Sequence, residues 1–332
     1  SPYPLLDLHG PFTKMHILAL APGGIGEQVL FFPTLAQLKE TYPNAEIDVV
    51  VEPRARAAYR ICKPVRDTIP FDFKDRSSPA DWGNLIGIIR DREYDAVLSL
   101  GQRWAVGLLL WLTGIPVRVG FAGSGKLFMT ESVLLKKDQY AADMYHDLVN
   151  GFGIHAERPG LSAQVPQEDL EWAEAAQKDL GVKDTGYVLL HGGSSTLAKV
   201  KGIDKIYPVE SWKAVIATLS DRKPELPIVL VEGPEDGEFI EQVRTVCPGV
   251  KTTKPGNIGQ LAAMAASANL MICTDSGPMH VSVAVGTYTI ALFGPTDPAK
   301  LLPPSDKFIG LKSSSGKMGD IEPTAILEKL GV

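Results

Sequence analysis

The sequence predicts an α/β protein built from two doubly wound parallel-sheet domains that follow one another along the chain. Its length of 332 residues exceeds what one hydrophobic core usually serves. Short apolar runs alternate with amphipathic helical segments, which is typical of a parallel sheet covered on both faces. The alternation stops once, at residues 156–166, and then restarts. We therefore expect a first Rossmann-like domain over residues 1–155, a linker over 156–166 and a second over 167–332.

Each predicted element follows from an apolar run or a helical period bounded by turn residues. In the first domain we expect strands at residues 15–20, 47–52 and 95–100, and helices at 28–41, 80–92 and 104–113. In the second domain we expect strands at 187–190, 227–231, 270–273 and 288–292. The helices there are predicted at 167–180, 208–219, 237–247, 258–268, from 277 onward, and 322–330.

Composition narrows the functional classes. The net charge of −6 and the pI of about 5.6 lack the basic surplus of a general nucleic-acid or anionic-membrane binder, although a local basic patch stays open. The three cysteines, Cys62, Cys247 and Cys273, show no metal or disulfide spacing, so we expect no metal site and a reducing, cytoplasmic compartment. Residues 1–13 lack the features of a signal peptide, and the longest apolar run, 104–112, is too short to span a bilayer.

A glycine-rich loop follows the first predicted strand. It contains Gly23, Gly24 and Gly26 and leads into Glu27 at the start of a helix. Glycines at the carboxyl end of a parallel strand let a ligand approach the backbone, but GGIGEQ does not match the GxGxxG dinucleotide pattern. Glu27 is open to two interpretations: a carboxylate that stabilises the helix N-terminus, or a catalytic group.

A second motif, TDSGPMH, lies between strand 270–273 and the next helix. Backbone N–H groups at a helix N-terminus favour anions, so Asp275, Ser276, Gly277 and His280 are candidates for binding a phosphate group. The alternatives are a plain N-cap formed by Asp275 or Ser276, and a buried, hydrogen-bonded histidine.

Two further motifs follow strands of the second domain. The segment HGGSS places Ser194 and Ser195 after strand 187–190, where small hydroxyl residues suit a phosphate, and Lys205 comes shortly before the next helix. A solvated surface lysine is the alternative for Lys205. The turn FGPTDP, residues 293–298, follows strand 288–292 and brings Thr296 and Asp297 toward the same crevice, or serves as a rigid turn alone.

Together these motifs resemble the heptosyltransferase family, glycosyltransferase family 9. The resemblance runs from about residue 15 to residue 300: the glycine loop and the helix with an internal proline, GGIGEQVLFFPTLAQLKETYP; the KxWP-like element KIYP at residues 205–208; the DTGxxH-like element DSGPMH at 275–280; and the YGPTDP-like turn. The family's catalytic aspartate corresponds to Glu27, which is one methylene longer.

The resemblance implies a GT-B fold, with an acceptor-side first domain and a nucleotide-sugar-binding second domain facing an interdomain cleft. It implies inverting, metal-independent transfer of a heptose or related sugar from a nucleotide-sugar, with an ADP-sugar favoured, to a glycan or lipid-linked acceptor, as in lipopolysaccharide or surface-glycan synthesis. Such a protein would need no cofactor, bind no nucleic acid, and work in the cytoplasm or at the inner face of the cytoplasmic membrane.

On this interpretation Glu27 is the base that takes the acceptor proton, and Lys205 is the second catalytic residue. Ser194, Ser195, Asp275, Ser276, Gly277 and His280 hold the donor, and Asp236 and Glu235 lie where they would reach its ribose. Gly23, Gly24 and Gly26 form the acceptor-side loop. Two alternatives stay open: a nucleotide-sugar epimerase of the same fold, and a non-catalytic nucleotide- or glycan-binding relative.

Overall fold

The computed structural model describes residues 14–74, 77–193 and 196–331. The chain divides into two compact units, Ser1–Leu161 and Ser162–Val332. The division falls inside the segment 156–166 that the sequence predicts as a linker.

The first unit contains a six-stranded parallel sheet in the order β3-β2-β1-β4-β5-β6 within the described residues. Because β1 and β4 are neighbours but not consecutive, the strand order reverses between them, and ligands of doubly wound sheets bind beside that reversal. The strands are β1 His16–Ala21, β2 Glu46–Val51, β3 Val65–Pro70, β4 Ala96–Ser99, β5 Val117–Phe121 and β6 Glu131–Val133.

Helices flank this sheet. The α-helices are α1 Ile25–Thr41, α2 Pro79–Asp91, α3 Trp104–Thr113 and α4 Ala141–His146. The 3₁₀ segments are Pro53–Ile61, Lys126–Phe128 and Asp147–Phe152. The core on one face joins the inner strands to α2 and α3, through Leu18, Val50 and Val97 on the sheet and Leu85 and Leu109 on the helices.

The second unit repeats the topology. Its sheet has the order β12-β11-β10-β7-β8-β9 and is also parallel, so its strand order reverses between β7 and β10. The strands are β7 Val188–His191, β8 Ile228–Val231, β9 Lys251–Thr253, β10 Leu270–Thr274, β11 Thr289–Phe293 and β12 Phe308–Lys312.

The α-helices of the second unit are α5 Gln167–Leu180, α6 Thr196–Val200, α7 Val209–Arg222, α8 Gly237–Val246, α9 Ile258–Ser267, α10 Gly277–Ala284, α11 Pro298–Leu301 and α12 Pro323–Lys329. A 3₁₀ segment covers Met318–Asp320. Trp212 and Ile216 of α7 pack against Val188, Leu190 and Leu230 of the sheet.

The predicted fold class is confirmed: both units are doubly wound parallel α/β sheets with the strand order of Rossmann domains. The predicted helix at 28–41 is too short, because the observed helix begins at Ile25 inside the glycine loop. Strands β3, β5, β6, β9 and β12 were not predicted from the sequence. Among them β6 and β9 have three residues each, which is too short for a periodic signal.

A candidate donor half-site and a candidate acceptor half-site

The glycine loop of the first unit follows the carboxyl end of β1, next to the reversal in strand order. Gly23 adopts a φ of +125°, in the region that favours glycine. A Cβ atom at Gly23 would also lie only 3.0 Å from the Cβ of Glu27. The loop therefore needs glycine both for its backbone conformation and for its close approach to the first turn of α1.

Glu27 lies in that first turn, and its side chain is exposed. Its Oε2 accepts a hydrogen bond from the backbone N–H of Gly24 over 2.9 Å. The carboxylate thus stabilises the start of α1, as the simpler interpretation of the sequence requires, and it is also accessible from solvent. Both interpretations of Glu27 are compatible with this geometry.

The sequence alone does not single out three side chains that lie around Glu27: Arg54, Tyr145 and Gln28. Arg54 Nη1 lies 3.8 Å from the position that a Cβ at Gly24 would take, and Glu27 Oε2 lies 3.2 Å from the same point. Burial, and then the negative charge of Glu27, raise the pKa of Tyr145, so its hydroxyl keeps its proton at neutral pH. Gln28, which is buried, donates to the carbonyl of Ala21 over 2.9 Å and fixes the end of β1 against α1. The carboxylate of Glu27 is therefore near a cationic side chain and a neutral phenol.

In the second unit, Lys205 and Asp275 form an ion pair. Lys205 Nζ lies 3.0 Å from Asp275 Oδ2, with side-chain exposures of 23% and 4%. The hydroxyl of Thr296 donates to the same carboxylate oxygen over 2.7 Å. The ion pair joins the KIYP and DSGPMH motifs, and Thr296 adds the FGPTDP turn to them. Lys205 is not the solvated surface lysine of the simpler interpretation.

Ser276 is the N-cap residue of α10, and its side chain makes no capping bond. Its hydroxyl lies 3.3 Å from the carbonyl of Thr274 and 3.4 Å from Nδ1 of His191. Since the carboxylate of Asp275 is bound to Lys205 and Thr296, neither of the two side chains serves as the plain N-cap that the sequence left open. Gly277 begins the helix, and His280 is buried within it.

His191 ends β7, and its Nε2 lies 3.1 Å from Oδ2 of Asp236. Asp236 also accepts from the N–H of Gly233 over 2.8 Å. Burial raises the pKa of Asp236, but the bonds from His191 and Gly233 outweigh it, so the pKa lies below its usual value. Asp236 is therefore buried and bound within the unit, whereas Glu235 is exposed. That these two residues reach the donor ribose stays a prediction.

The remaining predicted positions are placed as follows. Ser194 and Ser195 lie outside the described residues. Asp297 caps the short helix α11, because its Oδ1 accepts from the N–H of Ala299 over 3.0 Å. No group of three or more His, Cys, Asp or Glu side chains suited to a metal ion occurs within residues 14–74, 77–193 and 196–331. Over the same residues, no helix has the length and apolar character needed to cross a membrane.

The second half-site brings together groups that suit a candidate anion site. A helix N-terminus, a lysine ammonium and a serine hydroxyl lie at the carboxyl ends of β7 and β10, beside the reversal in strand order. The comparison with known proteins decides the family: the model of glycosyltransferase family 9 (heptosyltransferase) matches residues 82–330. The chain belongs to glycosyltransferase family 9. This membership places it among the glycosyltransferases and favours sugar transfer over the epimerase alternative.

Known proteins match this chain over most of its length. Lipopolysaccharide heptosyltransferase 3 of Escherichia coli is 25% identical over 82% of this chain and 81% of that protein. The photosynthetic NDH subunit of subcomplex B 1, chloroplastic, of Arabidopsis thaliana is 26% identical over 90% of this chain and 69% of that protein. The structure of E. coli heptosyltransferase WaaC with ADP-2-deoxy-2-fluoro heptose superposes with a TM-score of 0.75 and 19% identity, covering 96% of this chain and 99% of that one. The GT-B fold is thereby confirmed.

Proposed function

We propose that this family 9 member transfers a heptose or related sugar, with inversion and without a metal ion, from an ADP-linked donor to a glycan or lipid-linked acceptor. The observation that carries the proposal is the Lys205–Asp275 ion pair, which holds an ammonium group beside the N-terminus of α10. A nucleoside diphosphate leaving group needs such positive charge where its own negative charge develops.

The donor half of the proposal places the diphosphate at the second unit. Lys205, the hydroxyl of Ser276 and the backbone N–H groups at the start of α10 would stabilise the departing diphosphate. Ser194 and Ser195 would complete this site from the loop after β7, and His280 would support it from within α10. The ADP preference rests on the ADP-heptose analogue named with the WaaC structure.

The acceptor half of the proposal assigns the role of catalytic base to Glu27. An exposed carboxylate beside the glycine loop can accept the proton of an acceptor hydroxyl as that oxygen attacks the anomeric carbon. A positioned base contributes roughly 10²–10⁴-fold to such a step. Gly23 and Gly24 keep side chains away from this carboxylate, and Gly26 lies in the first turn of α1. Relatives named lipopolysaccharide heptosyltransferase 3 and lipooligosaccharide heptosyltransferase 2 favour a lipid-linked glycan as the acceptor. We expect the transfer to take place in the cytoplasm or at the inner face of the cytoplasmic membrane.

Thermal unfolding with ADP-, UDP-, GDP- and dTDP-sugars tests the donor assignment. A ligand that binds only the folded protein at 100 times its Kd adds about 2.7 kcal/mol of stability. For a unit of this size that corresponds to a rise in Tm of about 5–10 °C. We expect the rise with an ADP-sugar and a smaller one with the others. An equal response to all four, or to none, contradicts the ADP assignment.

A second candidate function is assembly as a subunit of a larger complex, with or without sugar transfer. The observation that favours it is the similarity to the Arabidopsis protein, whose name describes a subunit. The match covers 90% of this chain. The longer carboxylate at Glu27 is compatible with lost transfer. Native isolation from the source cell distinguishes the two: a stable complex together with no transfer to any acceptor in a broad panel supports the subunit role, whereas transfer by the isolated chain supports the enzyme.

A further inference from the structure

His191 connects the loop after β8 to the loop after β10, and the second of these loops belongs to the proposed donor half-site. It is the last residue of β7, it is 5% exposed, and its ring lies between the loop after β8 and the loop after β10. Nε2 contacts Asp236 Oδ2 over 3.1 Å and Nδ1 contacts the Ser276 hydroxyl over 3.4 Å. The ring is thus in contact with a carboxylate on one side and a hydroxyl on the other.

The carboxylate side of this arrangement is rigid. Asp236 is held by the N–H of Gly233, and the backbone of Gly193 packs directly against it. A Cβ at Gly193 would lie 1.8 Å from Asp236 Oδ1, so any side chain at 193 would displace the carboxylate. The carboxylate of Asp236 only accepts hydrogen bonds, so its contact with the ring is a hydrogen bond when Nε2 of His191 carries a proton.

The hydroxyl of Ser276 has one proton and two acceptors within the unit, Nδ1 of His191 and the carbonyl of Thr274. When the imidazole is neutral with its proton on Nε2, Nδ1 is an acceptor and competes for that hydroxyl proton. When the imidazole is protonated, Nδ1–H donates to the Ser276 oxygen instead, and the hydroxyl is available to donate elsewhere. A phosphate oxygen only accepts hydrogen bonds. The protonated imidazole therefore favours phosphate binding, because it leaves the Ser276 hydroxyl proton free to be donated to the phosphate.

Other charged and titratable groups lie near His191 or its partners, on the elements that surround the ring. Lys199 of α6 lowers the pKa of Asp236 by its charge. Asp275 follows β10, and its carboxylate is paired with Lys205. Cys273 lies opposite His191 in the β7–β10 register, and burial raises the pKa of its thiol, so it stays neutral. An imidazolium at His191 would add one positive charge to this set next to Ser276.

We propose that His191 is a positioning residue of the donor site, and that binding of a nucleotide-sugar diphosphate at Ser276 draws a proton onto its ring. The inference rests on the proposed function, since it needs a diphosphate at the start of α10. The proton is taken from solvent on binding, which forms an N–H bond at Nδ1, and it returns to solvent on release; no other bond forms or breaks.

Isothermal titration of the full chain with ADP-glucose tests the linkage. This probe is a diphosphate diester, so it lacks the terminal phosphate group that titrates near pH ~6. Titrations in two buffers of different ionisation enthalpy give the number of protons taken up. The wild-type protein is expected to take up a fraction of one proton near pH 7, and its affinity is expected to rise as the pH falls from 8 to 6.5, by less than tenfold per pH unit.

His191→Gln is the decisive variant, because glutamine keeps a donor for Asp236 and does not titrate. We expect it to bind ADP-glucose with no proton uptake and with an affinity that does not change with pH. His191→Asn provides a second non-titrating variant if the glutamine protein does not fold, as judged by circular dichroism. Unchanged proton uptake in either folded variant overturns the proposal, as does binding by the wild type without uptake. Failure of the wild-type protein to bind ADP-glucose counts against the proposed ADP-sugar function itself, and the role of His191 falls with it.

Discussion

Replacement of Lys205 by glutamine removes the ammonium group from the donor half-site while keeping most of the side chain. In the folded protein it leaves the nearly buried Asp275 carboxylate, 4% exposed, with the hydroxyl of Thr296 in place of an ion pair. Loss of one partner of a buried charged pair costs about 3–5 kcal/mol. Because Lys205 is 23% exposed and water can reach its position, we expect a smaller loss of about 1–3 kcal/mol in the free energy of unfolding.

The effect on function should be larger than the effect on stability. If Lys205 stabilises the departing diphosphate, its removal should lower kcat/KM by roughly 10²–10³, which is the usual cost of one lost transition-state donor. Steady-state transfer from an ADP-sugar, with urea unfolding of the same preparation, measures both quantities. Asp275→Asn combined with Lys205→Gln should recover part of the lost stability, because no unpaired carboxylate remains, without recovering transfer.

Lys213→Gln is the matched control. Lys213 pairs with Glu210 over 3.8 Å at the surface, where the side chains are 49% and 76% exposed. Such a pair contributes at most about 1 kcal/mol, so this variant should keep both stability and transfer nearly unchanged. A folded Lys205→Gln protein with the wild-type kcat/KM would refute the assignment of Lys205 to the leaving group.

Two further predictions concern pH and metals. Asp236 has a folded-state pKa below the usual value of an aspartate, so its contribution to stability is present above that usual value and is lost as the pH falls through the folded one. The difference in unfolding free energy between wild type and Asp236→Asn should therefore be about 1–3 kcal/mol at pH 7 and should shrink below pH ~4; a difference that stays constant to pH 3 would show that the carboxylate charge is not involved. Transfer should be unchanged in EDTA, because Lys205 and the start of α10 are proposed to stabilise the diphosphate; activity lost in EDTA and restored by magnesium or manganese would contradict that mechanism.

The parts of the fold that the sequence predicts well are those with local signals. The predicted bounds of helix α3, Trp104–Thr113, are the observed ones, and the structure ends this helix at Gly114 in the left-handed conformation that commonly ends a helix. Helix α5, Gln167–Leu180, ends in the same way at Gly181. By contrast, β3 is an edge strand whose residues are mostly half-buried or exposed, so VRDTIP shows no clear alternation. Pairing with β2 defines this strand, and a single sequence contains no signal for it.

The same difference between local and long-range signals applies to the candidate sites. The loops after β1, β7 and β10 could be located from glycines and hydroxyl residues that follow apolar runs. The side-chain contacts between these loops could not be predicted. Lys205 and Asp275, for example, are seventy residues apart in the chain and meet only when β7 and β10 pair. Tyr145 and Arg54 are identified as neighbours of Glu27 and of the glycine loop solely by tertiary structure, since neither belongs to a recognisable motif.

The central claim, that Glu27 is the base of a sugar transfer, is tested most directly by Glu27→Gln. Glutamine has nearly the same size and keeps an oxygen for the Gly24 N–H, so the fold should be retained, but it removes the basic carboxylate. The account predicts that transfer falls by roughly 10²–10⁴-fold while the affinity for the donor is little changed. Glu27→Asp, measured alongside, shows whether the site depends on the longer side chain. Near-normal transfer by a correctly folded Glu27→Gln protein would contradict the account and leave Glu27 as a residue that stabilises the start of α1.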